Sequence, residues 1–283
     1  MSNLKISVML ACLRMDPYEG MKEVTKMGVK GISLSVGSGR FAPDNMTRKD
    51  RRNLVEHIHS LGLELSSVSA WGGQVDLCEA DKGEENVAWA KKIIDLAVDL
   101  ETPIWQAHIG VMPRETTNPR WETLVKNVSE IASYAESRGA CLAVETGPEP
   151  PTVLRRLIET VGSPGLRVNY DPANLILWPA ILARFFKKPY EKEKALREFM
   201  PVDGVKILGQ YIVHTHAKDA IVEENGQPKE VPLGEGWIDW PRYVRLLREQ
   251  GFEGYFAIER ETGENPVEDI RKAVSFLRSL LAE

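Results

Sequence analysis

The stretch Tyr211-Ile-Val-His-Thr-His-Ala-Lys-Asp219 turns from apolar to polar within a few residues and offers two imidazoles, an amine and a carboxylate. Read as a β-strand, it puts Ile212, His214, His216 and Lys218 on one side, because strand side chains alternate between faces. A neutral imidazole binds a divalent metal, and a lysine two positions on can hold an anionic or hydroxylated ligand beside it. The competing reading is a pair of buried histidines satisfied by backbone carbonyls. Other apolar runs end in the same way: Gln106-Ala-His108, Val144-Glu145, Asn169-Tyr-Asp171 and Ile258-Glu259.

These ends are worth comparing only if the chain brings them together, so the elements come next. Strand-like runs at 4–10, 31–36, 63–70, 103–109, 141–145, 166–171, 211–216 and 255–259 alternate with helical stretches at 17–27, 47–62, 84–100, 121–138, 151–160, 240–250 and 267–281. Gly28, Gly62, Gly139 and Gly251 close several of the helices. Strand–helix units repeated over this length predict an α/β fold, a (β/α)8 barrel formed as a single domain over residues 1–283. An open doubly wound sheet competes, but no Gly-x-Gly-x-x-Gly follows the first strand.

In such a barrel, chemistry collects at the carboxyl ends of the strands. Ionised groups converging there repel one another unless a cation or protons lie between them. A divalent metal held by Glu145, Asp171, His216 and Glu259 explains their gathering. Three carboxylates and one imidazole suit Mn²⁺ foremost, with Mg²⁺, Co²⁺ or Zn²⁺ as alternatives.

Composition narrows the rest. With 36 Lys+Arg against 41 Asp+Glu, the net charge is −5, and no long basic run suggests nucleic acid as a partner. No apolar run reaches membrane-spanning length, and the first residues lead straight into a strand, so a cytoplasmic location is expected. Cys12, Cys78 and Cys141 lack metal-binding or paired spacing and are expected to be free thiols.

Val144-Glu145, Asn169-Tyr-Asp-Pro-Ala-Asn174, His214-Thr-His-Ala-Lys-Asp219, Gly234-Glu-Gly236 and Ala257-Ile-Glu-Arg-Glu261 together resemble the xylose isomerase-like barrel superfamily. The likeness is to its sugar phosphate isomerase/epimerase branch, which includes ketose 3-epimerases, hydroxypyruvate isomerase and inosose dehydratase. The resemblance implies that Glu145, Asp171, His216 and Glu259 are the metal ligands, and that Glu145 and Glu259 exchange a proton with substrate carbon. The expected activity is therefore sugar isomerisation or epimerisation through a metal-stabilised enediolate, on a small sugar or sugar-derived ketone. A dehydratase of the inosose or 3-dehydroshikimate type shares that first step, and a non-catalytic sugar-binding barrel is the reading from another class.

Departures from the pattern matter too. Asn174 stands where several ketose epimerases and the apurinic endonucleases carry a histidine; an amide can bond a hydroxyl but is a poor metal ligand, which argues against a three-zinc site. His108, Asn174, Lys218 and Trp71 are expected to touch substrate, and Asp219 to orient Lys218 or His216. Trp237 is expected to add an apolar wall, His214 to support the site from behind, and His57 and His59 to be packing or solvent residues. Residues 174–201, carrying Arg184, Lys187, Lys188, Lys192, Lys194 and Arg197, form a long insertion after the sixth strand. It is read as a lid or an interface, its charge able to attract an acidic or phosphorylated substrate; a solvated helical insertion is the plainer reading, and a homo-oligomer is compatible with either.

Overall fold

The computed structural model describes residues 5–70 and 75–282. Eight parallel strands close on themselves: β1 (Lys5–Met9), β2 (Gly31–Ser35), β3 (Glu64–Ser69), β4 (Ile104–Ala107), β5 (Cys141–Glu145), β6 (Leu166–Tyr170), β7 (Ile212–Ala217) and β10 (Tyr255–Ile258). Each pairs with its sequence neighbour in the barrel, and β10 closes the ring against β1 through registers such as Ser7 with Ala257. This is the predicted (β/α)8 barrel.

The outer ring comprises α1 (Pro17–Lys26), α2 (Arg48–Ser60), α3 (Gly83–Asp99), α4 (Pro119–Ser137), α5 (Pro151–Val161), α9 (Trp240–Glu249) and α10 (Pro266–Ala282). Their starts follow from sequence. Asp16, Asn118 and Asp239 each accept a backbone N–H from the first turn, and Thr47 with Asp50 forms a reciprocal capping box. Their inner stripes, such as Leu54 and Ile58 of α2 or Leu124, Val128 and Ile131 of α4, pack on the outside of the strands as fully buried core.

Two regions add elements to the sequence reading, the first along the helical alternative it gave for the insertion. Residues 174–201 are largely helix: α6 (Asn174–Phe185) begins directly after β6, followed by α7 (Lys192–Phe199), and a further single turn, α8 (Val205–Leu208), precedes β7. Between β7 and α9 lies an antiparallel hairpin, β8 (Asp219–Val222) with β9 (Pro228–Val231), which the reading did not contain.

The inside of the barrel is polar at its centre. Ser33 Oγ and Ser67 Oγ lie 2.9 Å apart, Ser66 Oγ donates to Ser7 Oγ, and Gln106 Nε2 donates to Ser33 Oγ, all buried. Every group there has a partner, as a water-poor interior requires. This network is the floor on which the histidines stand.

Candidate metal centre and active site

β7 carries the histidines into the barrel by plain alternation. His214 Nδ1 lies 2.9 Å from Asn169 Oδ1, and its Nε2 lies 3.3 Å from Ser67 Oγ. Asn169, on β6, uses Nδ2 to reach His216 Nε2 at 3.0 Å and Gln106 Oε1 at 2.8 Å. One amide therefore ties both rings to the serine floor and leaves His216 Nδ1 pointing up into the mouth. Burial first, then the neighbouring His216, pushes His214 down to about 3, so it sits neutral beneath the site.

Around His216 Nδ1 stand Glu259 Oε2 at 3.0 Å, Glu145 Oε1 at 3.4 Å and Asp171 Oδ2 at 3.5 Å. All four residues are buried, and one ligand atom from each lies within 4.8 Å of the others. None of the three oxygens is aligned with the ring nitrogen as a hydrogen bond, and Asp171 Oδ2 likewise has no hydrogen-bond partner. Asp171 Oδ1, by contrast, accepts the N–H groups of Ala173 and Asn174 at 2.8 and 3.0 Å, so this side chain anchors the start of α6 with one oxygen and faces the cluster with the other.

Charge explains what the cluster lacks. Burial pushes Asp171 up to about 6 despite His216 and Lys218 beside it. Burial acts the same way on Glu259 and Glu145, but His216 with Lys218 outweighs it at Glu259, to about 2, and His108 with His216 holds Glu145 well below the ordinary carboxylate range. His216 and Lys218 are in turn held well above their ordinary values, against burial, by Glu259 and its fellow carboxylates. A dication in place of the imidazole proton would balance three carboxylates and one ammonium without residue. It would also give His216 Nδ1 and Asp171 Oδ2 the partner they lack. The donor set therefore fits a divalent metal.

The surrounding residues aim this set. Asn174 Nδ2 donates to Glu145 Oε1 at 2.7 Å. Lys218 Nζ donates to Glu259 Oε2 at 3.0 Å and to Glu261 Oε2 at 2.6 Å. His108 Nε2 lies 3.4 Å from Glu145 Oε1, and its ring meets Trp178 edge-on at 6.4 Å. Trp178 is close because residue 147 is glycine: with φ +79, a Cβ there would sit 2.4 Å from the indole. Above these groups opens a cavity of about 710 Å³, lined by His108, Glu145, Asn174, Lys218 and Glu259 among others.

Of the residues singled out from sequence, Glu145, His108, Asp171, Asn174, His216, Lys218 and Glu259 thus meet in one place, whereas Trp71 lies outside the described residues. Asp219 does not orient Lys218 or His216. Its carboxylate accepts the N–H groups of Ala220, Gly234 and Ile238 and the Trp240 indole N–H, which pins the loop after the hairpin. Gly236 makes room for it, since a Cβ there would fall 1.9 Å from Asp219 Oδ1. Trp237 is not in the lining of the cavity; Lys192 Nζ sits 3.6 Å from its ring centre instead. His57 packs edge-on against Tyr18, and His59 is exposed beside Glu101. The three cysteines are free and buried.

Two lining residues escaped the sequence reading. Arg14, in the left-handed region at φ 54, donates to the carbonyls of Glu261 and Gly263 and joins the end of β1 to the end of β10. Glu261 holds Lys218 from the solvent side. Nothing in the local sequence distinguishes Arg14 from a surface charge, whereas Glu261 stands in the Ala257-Ile-Glu-Arg-Glu261 stretch, two places after Glu259, and was given no role there.

A family model described as the xylose isomerase-like TIM barrel matches residues 21–280. The L-ribulose-5-phosphate 3-epimerase of Escherichia coli is 35% identical over 283 aligned positions, covering 94% of this chain and 90% of that protein. An uncharacterized protein of Methanocaldococcus jannaschii is 26% identical over 201 residues, 66% of this chain; the chain spans 59% of that relative's length. Among solved structures, a xylose isomerase domain protein from Planctomyces limnophilus superposes with a TM-score of 0.78 at 23% identity, covering 98% of this chain and 96% of that one.

Proposed function

Because the chain belongs to the xylose isomerase-like TIM barrel family, we propose that it is a divalent-metal-dependent sugar isomerase or epimerase whose proton carriers are Glu145 and Glu259. The observation that supports this most directly is the convergence of Glu145, Asp171, His216 and Glu259, with a ring nitrogen and a carboxylate oxygen left unpartnered between them. Those four residues would hold the ion, Mn²⁺ before Mg²⁺, Co²⁺ or Zn²⁺. When bound, it would supply positive charge to substrate oxygens that become negative as a neighbouring C–H bond breaks.

The remaining work falls to side chains. Glu145 and Glu259 reach the cluster from β5 and β10, which β6 and β7 separate in the ring, and that separation supports a planar intermediate seated between the two carboxylates. One carboxylate, ionised, takes the proton, and the other, entering the step in its acid form, delivers its own proton to the opposite face and inverts the carbon; delivery by the first carboxylate to the adjacent carbon on the same face gives the isomer. Lys218 keeps Glu259 ionised, Asn174 fixes Glu145, and His108 faces the substrate side of Glu145. The first helix of segment 174–201 covers one side of the cavity and serves as its wall.

Lys218 favours a second reading, a dehydratase. An ammonium lining the cavity beside Glu259 would hydrogen-bond a departing β-hydroxyl and offset the negative charge that develops on it. Both readings are tested by incubating the Mn²⁺-loaded chain in D₂O with ketoses and ketose phosphates, L-ribulose 5-phosphate included. Deuterium appearing next to the carbonyl by NMR, and reduced about 10²- to 10⁴-fold in Glu145→Gln and Glu259→Gln, is the expected result. Growth of conjugated-enone absorbance would instead select elimination. Exchange that persists in both variants, or Mn²⁺ that fails to bind, would sink the assignment.

A further inference from the structure

α6 separates two cavities. On one side lies the catalytic cavity of about 710 Å³; on the other lies a groove of about 720 Å³, and Trp178 and Ile181 line both. Each volume falls in the range that holds drug-sized molecules, ~300–1,000 Å³. The groove is walled by apolar side chains that water reaches: Phe185 is 77% exposed, Phe186 60% and Val111 47%, and the two phenylalanine rings meet edge-on at 5.1 Å. Exposed aromatic side chains gathered along one groove offer a surface that an apolar ligand can cover. Of the three cations in its lining, Arg114 pairs with Glu198, Lys194 pairs with Glu191, and Lys188 Nζ lies 6.0 Å from the Phe186 ring centre.

We propose that the substrate is a sugar ketone bearing an apolar, aromatic-sized substituent, the sugar lying in the catalytic cavity and the substituent crossing the Trp178–Ile181 ridge into this groove. The inference rests on the sugar-ketone reading above and deepens it. Continuity is the argument: Trp178 and Ile181 line both cavities, and the Trp178 ring meets His108 edge-on with centres 6.4 Å apart, while His108 Nε2 lies 3.4 Å from Glu145 Oε1. A free pentulose would leave the groove empty, whereas an aryl group would cover Phe185 and Phe186 and stack with them.

The test is binding rather than turnover. Calorimetric titration of the full chain in Mn²⁺ buffer compares 1-O-benzyl- and 6-O-benzyl-D-fructose with the matching O-methyl ethers. At least one benzyl ether is expected to bind about tenfold or more tightly than its methyl counterpart. The double variant Phe185→Ser/Phe186→Ser, which alters exposed side chains only, should lose that advantage and keep the methyl-ether affinity. Equal binding of benzyl and methyl ethers, absence of binding by all four, or an advantage that survives the double substitution overturns the proposal. So does a wild-type dimer in sedimentation velocity that the double variant converts to monomer, since the groove then belongs to a second copy. Failure of deuterium exchange would leave this preference standing, and loss of the preference would leave exchange standing, so the two readings fail separately.

Discussion

Single residues in the centre divide into those that face the cluster and those that aim them. Asn174 aims two at once: Nδ2 holds Glu145 Oε1 at 2.7 Å and its backbone N–H holds Asp171 Oδ1 at 3.0 Å. Removing partners of this kind costs about 10- to 100-fold in metal affinity or activity. Asn174→Ala keeps the backbone bond, so Mn²⁺ titration and exchange rate should each fall toward the lower end of that range; unchanged values would mean that Glu145 needs no such support. Glu149 offers a pH prediction away from the cluster. Its Oε1 accepts the Met112 N–H, its buried Oε2 has no partner, and burial pushes the carboxyl up from an ordinary 4.5 to about 8. The unfolded chain therefore loses this proton first. Stability from the neutral carboxyl is complete below about 4.5 and is lost as pH rises toward about 8, at no more than ~1.4 kcal/mol per pH unit. Glu149→Gln still accepts from Met112 but cannot ionise, so urea unfolding should show it gaining on the wild type between pH 5 and pH 8. A constant gap across that range would return Glu149 to an ordinary carboxylate. Residues at strand ends were legible because alternation and barrel topology alone fix where they point. Arg14 was not, because its role depends on a left-handed turn that carries its guanidinium to carbonyls at the opposite end of the chain.

Elements were legible wherever periodicity or caps speak locally, as in the Thr47–Asp50 box of α2, and failed where tertiary contacts decide. The run Asn174-Leu-Ile-Leu-Trp-Pro-Ala-Ile-Leu182 is apolar nearly all round and contains Pro179, which gives it no amphipathic stripe and an apparent helix breaker. What starts α6 is Asp171 Oδ1, a residue that the sequence had reserved for the cluster. The hairpin escaped for a related reason. Its strands are four residues each, and although Asn225-Gly226 marks their turn, nothing local says that they fold over the barrel rim. Asp219 supplies that information with at least four accepted hydrogen bonds from the loop and from Trp240. Burial raises its pKa, so these donors offset a real desolvation cost. Asp219→Ala leaves several buried donors unsatisfied at once and should lower stability by about 2–4 kcal/mol in urea unfolding. The loss should exceed that of Asp239→Ala, which removes an exposed helix cap worth about 1 kcal/mol. Equal losses would show that the loop is held by packing rather than by this carboxylate.

The whole molecule shows why a chain of this length must close before its chemistry exists. The four residues of the proposed centre lie on or just beyond β10, β7, β6 and β5, neighbours in the ring although Glu145 and Glu259 are 114 positions apart in sequence. An ion held by all four would tie together one half of the barrel, and it has no counterpart in the unfolded chain, where the ligands are scattered. Binding confined to the folded state stabilises by RT ln(1 + [L]/Kd), about 2.7 kcal/mol when free metal is 100 times Kd. For a domain of this size that is a rise of about 4–5 °C in Tm. Thermal melts should therefore climb with the logarithm of Mn²⁺ concentration above Kd and fall back with EDTA, while His216→Ala, lacking the ring nitrogen at the centre, should melt at one temperature whatever the Mn²⁺. Amide exchange locates the effect: protection should rise across β5, β6, β7 and β10 more than across β2 and β3, which carry none of the four. A uniform rise, or a His216→Ala melt that still climbs with Mn²⁺, would place the bound ion elsewhere on the molecule and leave the buried cluster to protons alone.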